Sequence, residues 1–409
     1  MVEPKQMEIP KQVEWILKQL TESGYEAYAV GGCVRDTLLG REPGDWDITT
    51  SAHPEEVKAV FGRTIDTGLK HGTVTVMRDH VGYEITTYRI DGEYEDGRHP
   101  KEVAFTKDLK EDLRRRDFTI NAMACGLGGE IVDVFGGRKD LENRIVRCVG
   151  NAMERFTEDA LRILRAIRFA AQLNFTIEAK TWEALHAIAP NLAHVSKERI
   201  QAELTKTLLS GHPERIGMAQ ETGMSRYISP SFPEAFRETK EPERLFLAAG
   251  LPSDRAVRWA AFLLDAGEKT AVRILRELKL DNDTISRAGT LIRWFFQEIE
   301  EDPAALRRAM SAMEDSLFTL LLEMKEVLEP AGAEHVKRLK ALAAQIRLRG
   351  DCIRLKNLAV TGNDLIAAGI KPGPGLGKNL NTLFSHVLEH PEDNEKETLF
   401  RIAGIESEK

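Results

Sequence analysis

Cysteine is scarce in this chain: Cys33, Cys125, Cys148 and Cys352 are spread over 409 residues, with no C-x-x-C pair. That spacing excludes a zinc ribbon and argues against a disulfide-stapled secreted scaffold. Long apolar runs are missing as well. No stretch of about 18 consecutive apolar residues occurs, the length a membrane-crossing helix needs. The opening MVEPKQMEIPKQVEWILKQL has no apolar signal-peptide core. The expectation is a cytoplasmic protein with no membrane partner. There is no excess of positive charge, since 57 basic against 65 acidic residues leave a net charge of −8. A purely electrostatic nucleic-acid coat is thereby excluded, although a local basic patch is not. No fixed repeat of about 30–45 residues is visible, so no solenoid is expected.

What is present is an ordinary soluble globular composition, 42% hydrophobic and 30% charged. The length suggests two to three domains and a core large enough to need no metal or disulfide. Residues 10–22 carry Val13, Ile16, Leu17 and Leu20 at helical spacing. YEAYAV (25–30) reads as a strand running into Gly31-Gly32, residues 33–40 as a short helix stopped by Gly40, and DWDITT (45–50) as a second strand. A helix opens at His53-Pro54-Glu55-Glu56, and residues 72–78 and 81–89 read as a hairpin. Beyond about residue 150 the β-rich runs almost vanish. EDALRILRAIRFAAQL and AFLLDAGEKTAVRILRELKL have apolar residues at i, i+3, i+4 and i+7. The interval 331–356 holds seven basic residues against two acidic ones, a local excess of +5.

The chemistry concentrates in GGCVRDTLLGREPGDWDITT (31–50). Gly31 and Gly32, between a strand and a helix, let backbone amides approach an anion, and Arg35 lies one helical turn further on. The pair lacks the third glycine of the dinucleotide fingerprint G-x-G-x-x-G. Asp45 and Asp47, two apart in an expected strand, share a face. Paired carboxylates there suit Mg²⁺, and two such ions can clamp the attacking and leaving oxygens of a displacement at phosphorus. Glu84, on a later strand, has three open readings: a third metal ligand, a base on the attacking hydroxyl, or an exposed strand glutamate. Asp159, Arg162, Arg165 and Arg168 recur every three residues, which on one helix makes a polar stripe, with Leu161, Leu164 and Ile167 facing the core.

The segment GG-x-VRD-x-LLGR…D-x-D-I-T resembles the head motif of the class II CCA-adding tRNA nucleotidyltransferases and bacterial poly(A) polymerases, within the DNA polymerase β nucleotidyltransferase superfamily. RRRDFTINAMA (114–124) is similar to the family's RRD-F-T-x-N-A segment, and EDALRILRAIRFA (158–170) to its E-D-x-x-R segment. Residues 25–175 carry the resemblance; the closing TGNDLIAAGIKPGPGLG adds a weaker one. The resemblance implies an α+β fold: a small nucleotidyltransferase head with a mixed or antiparallel sheet, followed by an elongated all-α array. Expected divisions are a catalytic head (1–145), a helical neck with the nucleotide-selecting helix (146–210), a helical body (211–330) and a tRNA-binding helical tail (331–409).

The implied activity is addition of cytidine and adenosine to the 3′ end of tRNA from CTP and ATP, without a nucleic-acid template. Asp45 and Asp47 would hold Mg²⁺. Gly31, Gly32, Arg35 and Arg116 would position the nucleotide, and Asp117 would hold Arg116 or a ribose hydroxyl. Asp159 and Arg162 would select the base, with Arg165 and Arg168 on phosphate or RNA. The acceptor arm would bind along the helical array, including its basic segment. IDGEYEDGRHPKEVAF (90–105) resembles the flexible loop, with Asp96, Arg98 and Pro100, of members that add the terminal A. An A-adding-only enzyme, a poly(A) polymerase, a small-molecule nucleotidyltransferase and a non-catalytic RNA-binding scaffold stay open as alternatives. So does the oligomeric state, a homodimer included.

Overall fold

The apolar stripe of the first helix folds as its spacing requires: α1 (Lys11–Glu22) buries Val13, Ile16, Leu17 and Leu20. The computed structural model describes residues 7–91, 103–237 and 243–405. The chain divides into two compact units, one made of Met1–Phe236 with Glu277–Lys279, the other of Arg237–Arg276 with Leu280–Lys409. Among the described residues, no helix is long and apolar enough to cross a membrane.

The first unit is built on a mixed seven-stranded sheet. Its strands are β1 (Ala27–Val30), β2 (Ile48–Thr50), β3 (Thr64–Gly68), β4 (Thr73–Arg78) and β5 (Val81–Thr87). A small separate pair follows, β6 (Arg89–Asp91) with β7 (Val103–Phe105), before β8 (Met123–Cys125) and β9 (Ile131–Asp133) complete the large sheet. The order is β3-β4-β5-β2-β1-β8-β9, with β2 and β5 parallel and the other pairs antiparallel. The expected hairpin is β4–β5. Its turn residues Asp79 and His80 both have positive φ, 49° and 64°, the conformation whose twist matches a two-residue hairpin.

Two short helices sit between these strands: α2 (Gly32–Leu38) follows β1, and α3 (Pro54–Val60) opens where His53 N–H donates to the Glu56 carboxylate at 2.7 Å. The strand expected over 45–50 is shorter than read. β2 begins at Ile48, so Asp45 and Asp47 stand ahead of it. Pairing with β1 nevertheless reaches position 47, where the Val30 N–H donates to the Asp47 carbonyl at 2.9 Å. Further back, Pro43 has no N–H and Gly44 no side chain to pack, and the ladder stops.

Helices dominate after the sheet. α4 (Leu109–Arg114) and α5 (Gly137–Glu142) flank β8 and β9 in sequence, and α6 (Ala152–Glu158), α7 (Leu161–Leu173), α8 (Ala179–Ile188) and α9 (Lys197–Leu208) follow. Leu161, Leu164 and Ile167 of α7 are buried as expected, but so are Arg162 and Arg168. The arginine stripe is therefore no solvated surface, and its charges need internal partners.

The second unit is helical throughout its described residues. Its basic segment is largely neutralised. On the helix Ala333–Arg349, Arg338 pairs with Glu301, Lys340 with Glu326 and Arg347 with Asp315. Lys337 pairs with Glu334 and Arg349 with Asp351, and Arg354 caps the carbonyls of Met310 and Met313. Acids at 301, 315 and 326, outside the interval read from sequence, offset most of its apparent excess.

Gly137 opens α5 where backbone meets backbone: a Cβ there would stand 2.3 Å from the Thr119 carbonyl oxygen and 2.8 Å from Met123 Cγ. Gly137→Ala should lower stability by about 1–3 kcal/mol, as overpacking does. Urea unfolding measures this, and an unchanged midpoint would contradict the close approach.

Candidate active site

The site begins where β1 ends. Gly31 has φ +84° and ψ −127°, a conformation that costs glycine little. A Cβ there would also lie 3.0 Å from Arg116 Nη1, so the guanidinium rests against the bare backbone. The next residue, Gly32, opens α2 with the Arg35 side chain close by, Nη2 at 3.6 Å from the place of its missing Cβ.

Asp45 and Asp47 are accessible and on the same approach to β2. The parallel register Ile48↔Ile85 continues back by one position to set Asp47 level with Glu84 on β5. The electrostatics agree. Protein atoms crowd the Asp47 carboxylate despite its open side, and this desolvation, followed by the charge of Asp45, holds its pKa above the usual carboxylate value; Arg116 opposes and Glu84 adds to the rise. A carboxylate so placed gains from a cation. No cluster of three or more His, Cys, Asp or Glu side chains able to cage a metal occurs among the described residues. A two-carboxylate donor set fits hard divalent ions that complete their shell with water and substrate phosphate oxygens.

Arg116 faces this group. Burial works against its charge, and Asp112, Asp47 and Asp117 support it. Among the described residues its side chain makes no hydrogen bond, its Nε is buried without a partner, and its ion pair to Asp112 is long at 3.5 Å. Such a guanidinium has donors to offer an anion. Arg115 differs: Nε and Nη2 both donate to Asp112 Oδ1, at 3.0 and 2.8 Å. Asp112 is the residue the sequence reading missed. It is fully buried on α4, and it also accepts from Thr49 Oγ1 at 3.2 Å, two residues beyond Asp47. Burial alone would raise its carboxyl; Arg115, then Arg116, hold it below the usual value.

Asp117 joins the sheet region to α7. The partner seen for it is Arg165, not the expected Arg116: Oδ2 accepts from Arg165 Nε at 2.7 Å and forms an ion pair with Nη2 at 2.5 Å. Its Oδ1 accepts from the Phe118 N–H at 2.8 Å and Asn121 Nδ2 at 3.2 Å. Asn121 in turn accepts from Arg35 Nη1 at 2.7 Å, while Arg35 Nε and Nη2 fork onto Asp36. Burial opposes the Asp117 charge, but Arg165 and the Asn121 hydrogen bond outweigh it and bring its pKa down to about 2.

Asp159 and Arg162 do not share a helix. Asp159 closes α6 with φ −138° and ψ 101°, and α7 starts at Leu161. The i,i+3 ion pair is replaced by separate anchors. Asp159 Oδ2 accepts from Arg199 Nη2 at 2.8 Å, while Arg162 donates to Glu158 at 2.9 Å and to the carbonyls of Arg155 and Arg115 at 3.0 and 3.2 Å. Arg168 pairs with buried Glu203 at 3.1 Å. Arg199 and Glu203, both on α9, are further residues the sequence did not single out. Asp96, Arg98 and Pro100 lie outside the described residues.

With this geometry in hand, comparison with known proteins is informative. Residues 27–147 match the family described as poly A polymerase head domain, residues 174–236 its "Probable RNA and SrmB- binding site of polymerase A", and residues 252–403 tRNA nucleotidyltransferase domain 2. The chain is 41% identical over 406 residues to the CCA-adding enzyme of Geobacillus thermodenitrificans, covering 95% of both. It is similar to the crystal structure of the Bacillus stearothermophilus CCA-adding enzyme in complex with CTP, with 34% identity, TM-score 0.81 and coverage of 97% of this chain and 98% of that one. A Thermotoga maritima CCA-adding enzyme complexed with tRNA shares the fold at 22% identity, with TM-score 0.63 and coverage of 98% and 97%.

The Asp117 network carries a pH signature. Its folded-state pKa of about 2 lies below the unfolded value, so its stabilisation is complete above about pH 4 and is lost as pH falls through 2. The difference corresponds to about 2 kcal/mol. Asp117→Asn should flatten the fall of stability between about pH 4 and 2, measured by urea unfolding across that range. A slope equal to that of the unaltered protein would contradict the network.

Proposed function

The chain belongs to the CCA-adding enzyme family, and from that premise we propose how its own residues carry the reaction. The enzyme is a nucleotidyltransferase that adds cytidine and adenosine to the 3′ end of tRNA to build or repair the CCA terminus, using CTP and ATP. Catalysis is metal-dependent, and Mg²⁺ is the ion we assign. We place the reaction in the cytoplasm and keep the division into head (1–145), neck (146–210), body (211–330) and tail (331–409).

Asp45 and Asp47 hold the metal, with Glu84 level with Asp47 on the neighbouring strand. Divalent ions bound there supply charge neutralisation for the triphosphate and a more acidic 3′-hydroxyl. The protein's own part is positioning. Gly31 and Gly32 leave room for the nucleotide beside the start of α2, Arg116 turns its uncommitted donors toward the same space, and Arg35 is locked by Asp36 and Asn121. The 3′-hydroxyl then attacks the α-phosphorus in line, with pyrophosphate leaving and no covalent protein intermediate.

Base choice rests on Asp159 and Arg162. Cytosine and adenine each present an exocyclic amine donor beside a ring-nitrogen acceptor, which a carboxylate and a guanidinium complement. Guanine and uracil present a carbonyl and an N–H there, and both contacts fail. The separate anchors support the reading, because each side chain is held in place before a base arrives: Asp159 by Arg199, Arg162 by Glu158.

The observation that carries the proposal is the Asp45/Asp47 pair beside Gly31 and Arg116, with Asp47 destabilised until a cation arrives. Three tRNAs, ending before CCA, after C and after CC, incubated with CTP and ATP separately, distinguish full CCA addition from A-only and poly(A) products by length. Asp47→Ala should abolish every product while tRNA binding stays near normal, and chelation should do the same until Mg²⁺ is restored. Full activity of the variant would defeat the metal assignment. Changing Asp159 and Arg162 together should admit G and U, and unchanged fidelity would defeat the template.

A further inference from the structure

α7 carries a ring that the reaction scheme leaves unused. Phe169 is almost fully buried, at 4% exposure, and three guanidinium groups surround it. Arg168 Cζ lies 4.3 Å from its centroid, Arg35 Cζ 5.1 Å and Arg165 Cζ 5.5 Å. Arg165, Arg168 and Phe169 share a face of α7 because i, i+3 and i+4 positions are neighbours. Arg35 arrives from α2, far away in sequence. Phe118 meets the same ring edge-on, with centroids 5.6 Å apart and planes at 79°.

Three cations at one ring repel one another. Each has a carboxylate beside it: Asp36 of α2 for Arg35, Asp117 for Arg165 and Glu203 of α9 for Arg168. These anions neutralise the charges, with Asp117 and Glu203 each supporting both Arg165 and Arg168. The Phe169 ring lies within 5.5 Å of all three guanidinium carbons, and its quadrupole attracts each of them toward a common place. An aliphatic side chain of similar bulk would fill the volume without doing so.

We propose that Phe169 is a positioning residue for nucleotide binding, the aromatic post that gathers Arg35, Arg165 and Arg168 at the nucleotide site. The inference rests on the functional reading above and extends it: these arginines serve the triphosphate common to CTP and ATP, so Phe169 governs affinity for both nucleotides and not the choice between them. Neither Asp159 nor Arg162 touches the ring among the contacts of the described residues.

The test compares Phe169→Leu and Phe169→Met with Phe169→Tyr, which keeps the ring. The aliphatic variants should raise KM for CTP and ATP alike by about tenfold, the size expected for losing one or two cation–ring contacts. Their kcat should stay within about twofold, and KM for tRNA and the order of C and A addition should not change. Phe169→Tyr should remain within about threefold of the unaltered enzyme. Thermal melting separates this from unfolding, and equilibrium dialysis with CTP reads nucleotide affinity independently of turnover. Unchanged nucleotide affinity in the aliphatic variants would overturn the proposal, as would a Phe169→Tyr enzyme impaired as much as Phe169→Leu. Failure of the unaltered protein to extend any tRNA would instead defeat the functional reading, and dialysis would still decide the role of the ring.

Discussion

Two like charges held side by side are the constraint around which the head is arranged. Asp45 and Asp47 stand together at the approach to β2, where desolvation, followed by the charge of Asp45, holds the Asp47 carboxyl above its usual value. A single opposing guanidinium, Arg116, softens the repulsion without forming a hydrogen bond to either. An apolar or neutral pair at these positions would be easier to fold. The arrangement makes sense as a site waiting for divalent charge, and the openness of both side chains leaves room for it.

The surrounding structure exists to keep that arrangement from relaxing. Asp112 ties α4 to β2 through Thr49 and fixes Arg115, which leaves Arg116 as the less committed of the two neighbours. Asp117 does the same one layer further, reaching Arg165 on α7 and, through Asn121, Arg35 on α2. Buried carboxylates of this kind are expensive unless fully partnered, and both are. Arg35, Asn121, Asp117 and Arg165, with Arg162 donating to the Arg115 carbonyl beside them, thus form one hydrogen-bonded body within the first unit. Asp159 and Arg162 are held by different neighbours, Arg199 and Glu158, and not by each other's side chains.

Much of this was legible in the amino-acid sequence, for identifiable reasons. Local patterns survived: the α1 stripe, the Asp79-His80 turn, the strand–Gly31–helix junction and the buried Leu161, Leu164 and Ile167 all rest on interactions between near neighbours. The failures involve charge partners distant in sequence. Asp112 drew no notice in the sequence, yet it is buried, because Thr49 and the Arg89 N–H meet it from other elements. The 158–168 stripe reads as one helix because spacing cannot reveal a break at Asp159, whose carboxylate pairs with Arg199, forty residues on. The basic interval 331–356 reads as a net excess of positive charge for the same reason: Glu301, Asp315 and Glu326, which offset it, come from outside it.

The central claim is that Asp45 and Asp47 bind divalent metal next to the nucleotide. Crystals grown with CTP and Mn²⁺ in place of Mg²⁺ test it most directly, since anomalous scattering locates the ion independently of the phased model of the protein. The account predicts anomalous peaks at about 2.0–2.2 Å from the carboxylate oxygens of both aspartates, with triphosphate oxygens in the same coordination shell. Peaks elsewhere, or a bound triphosphate from which both carboxylates turn away, would contradict it.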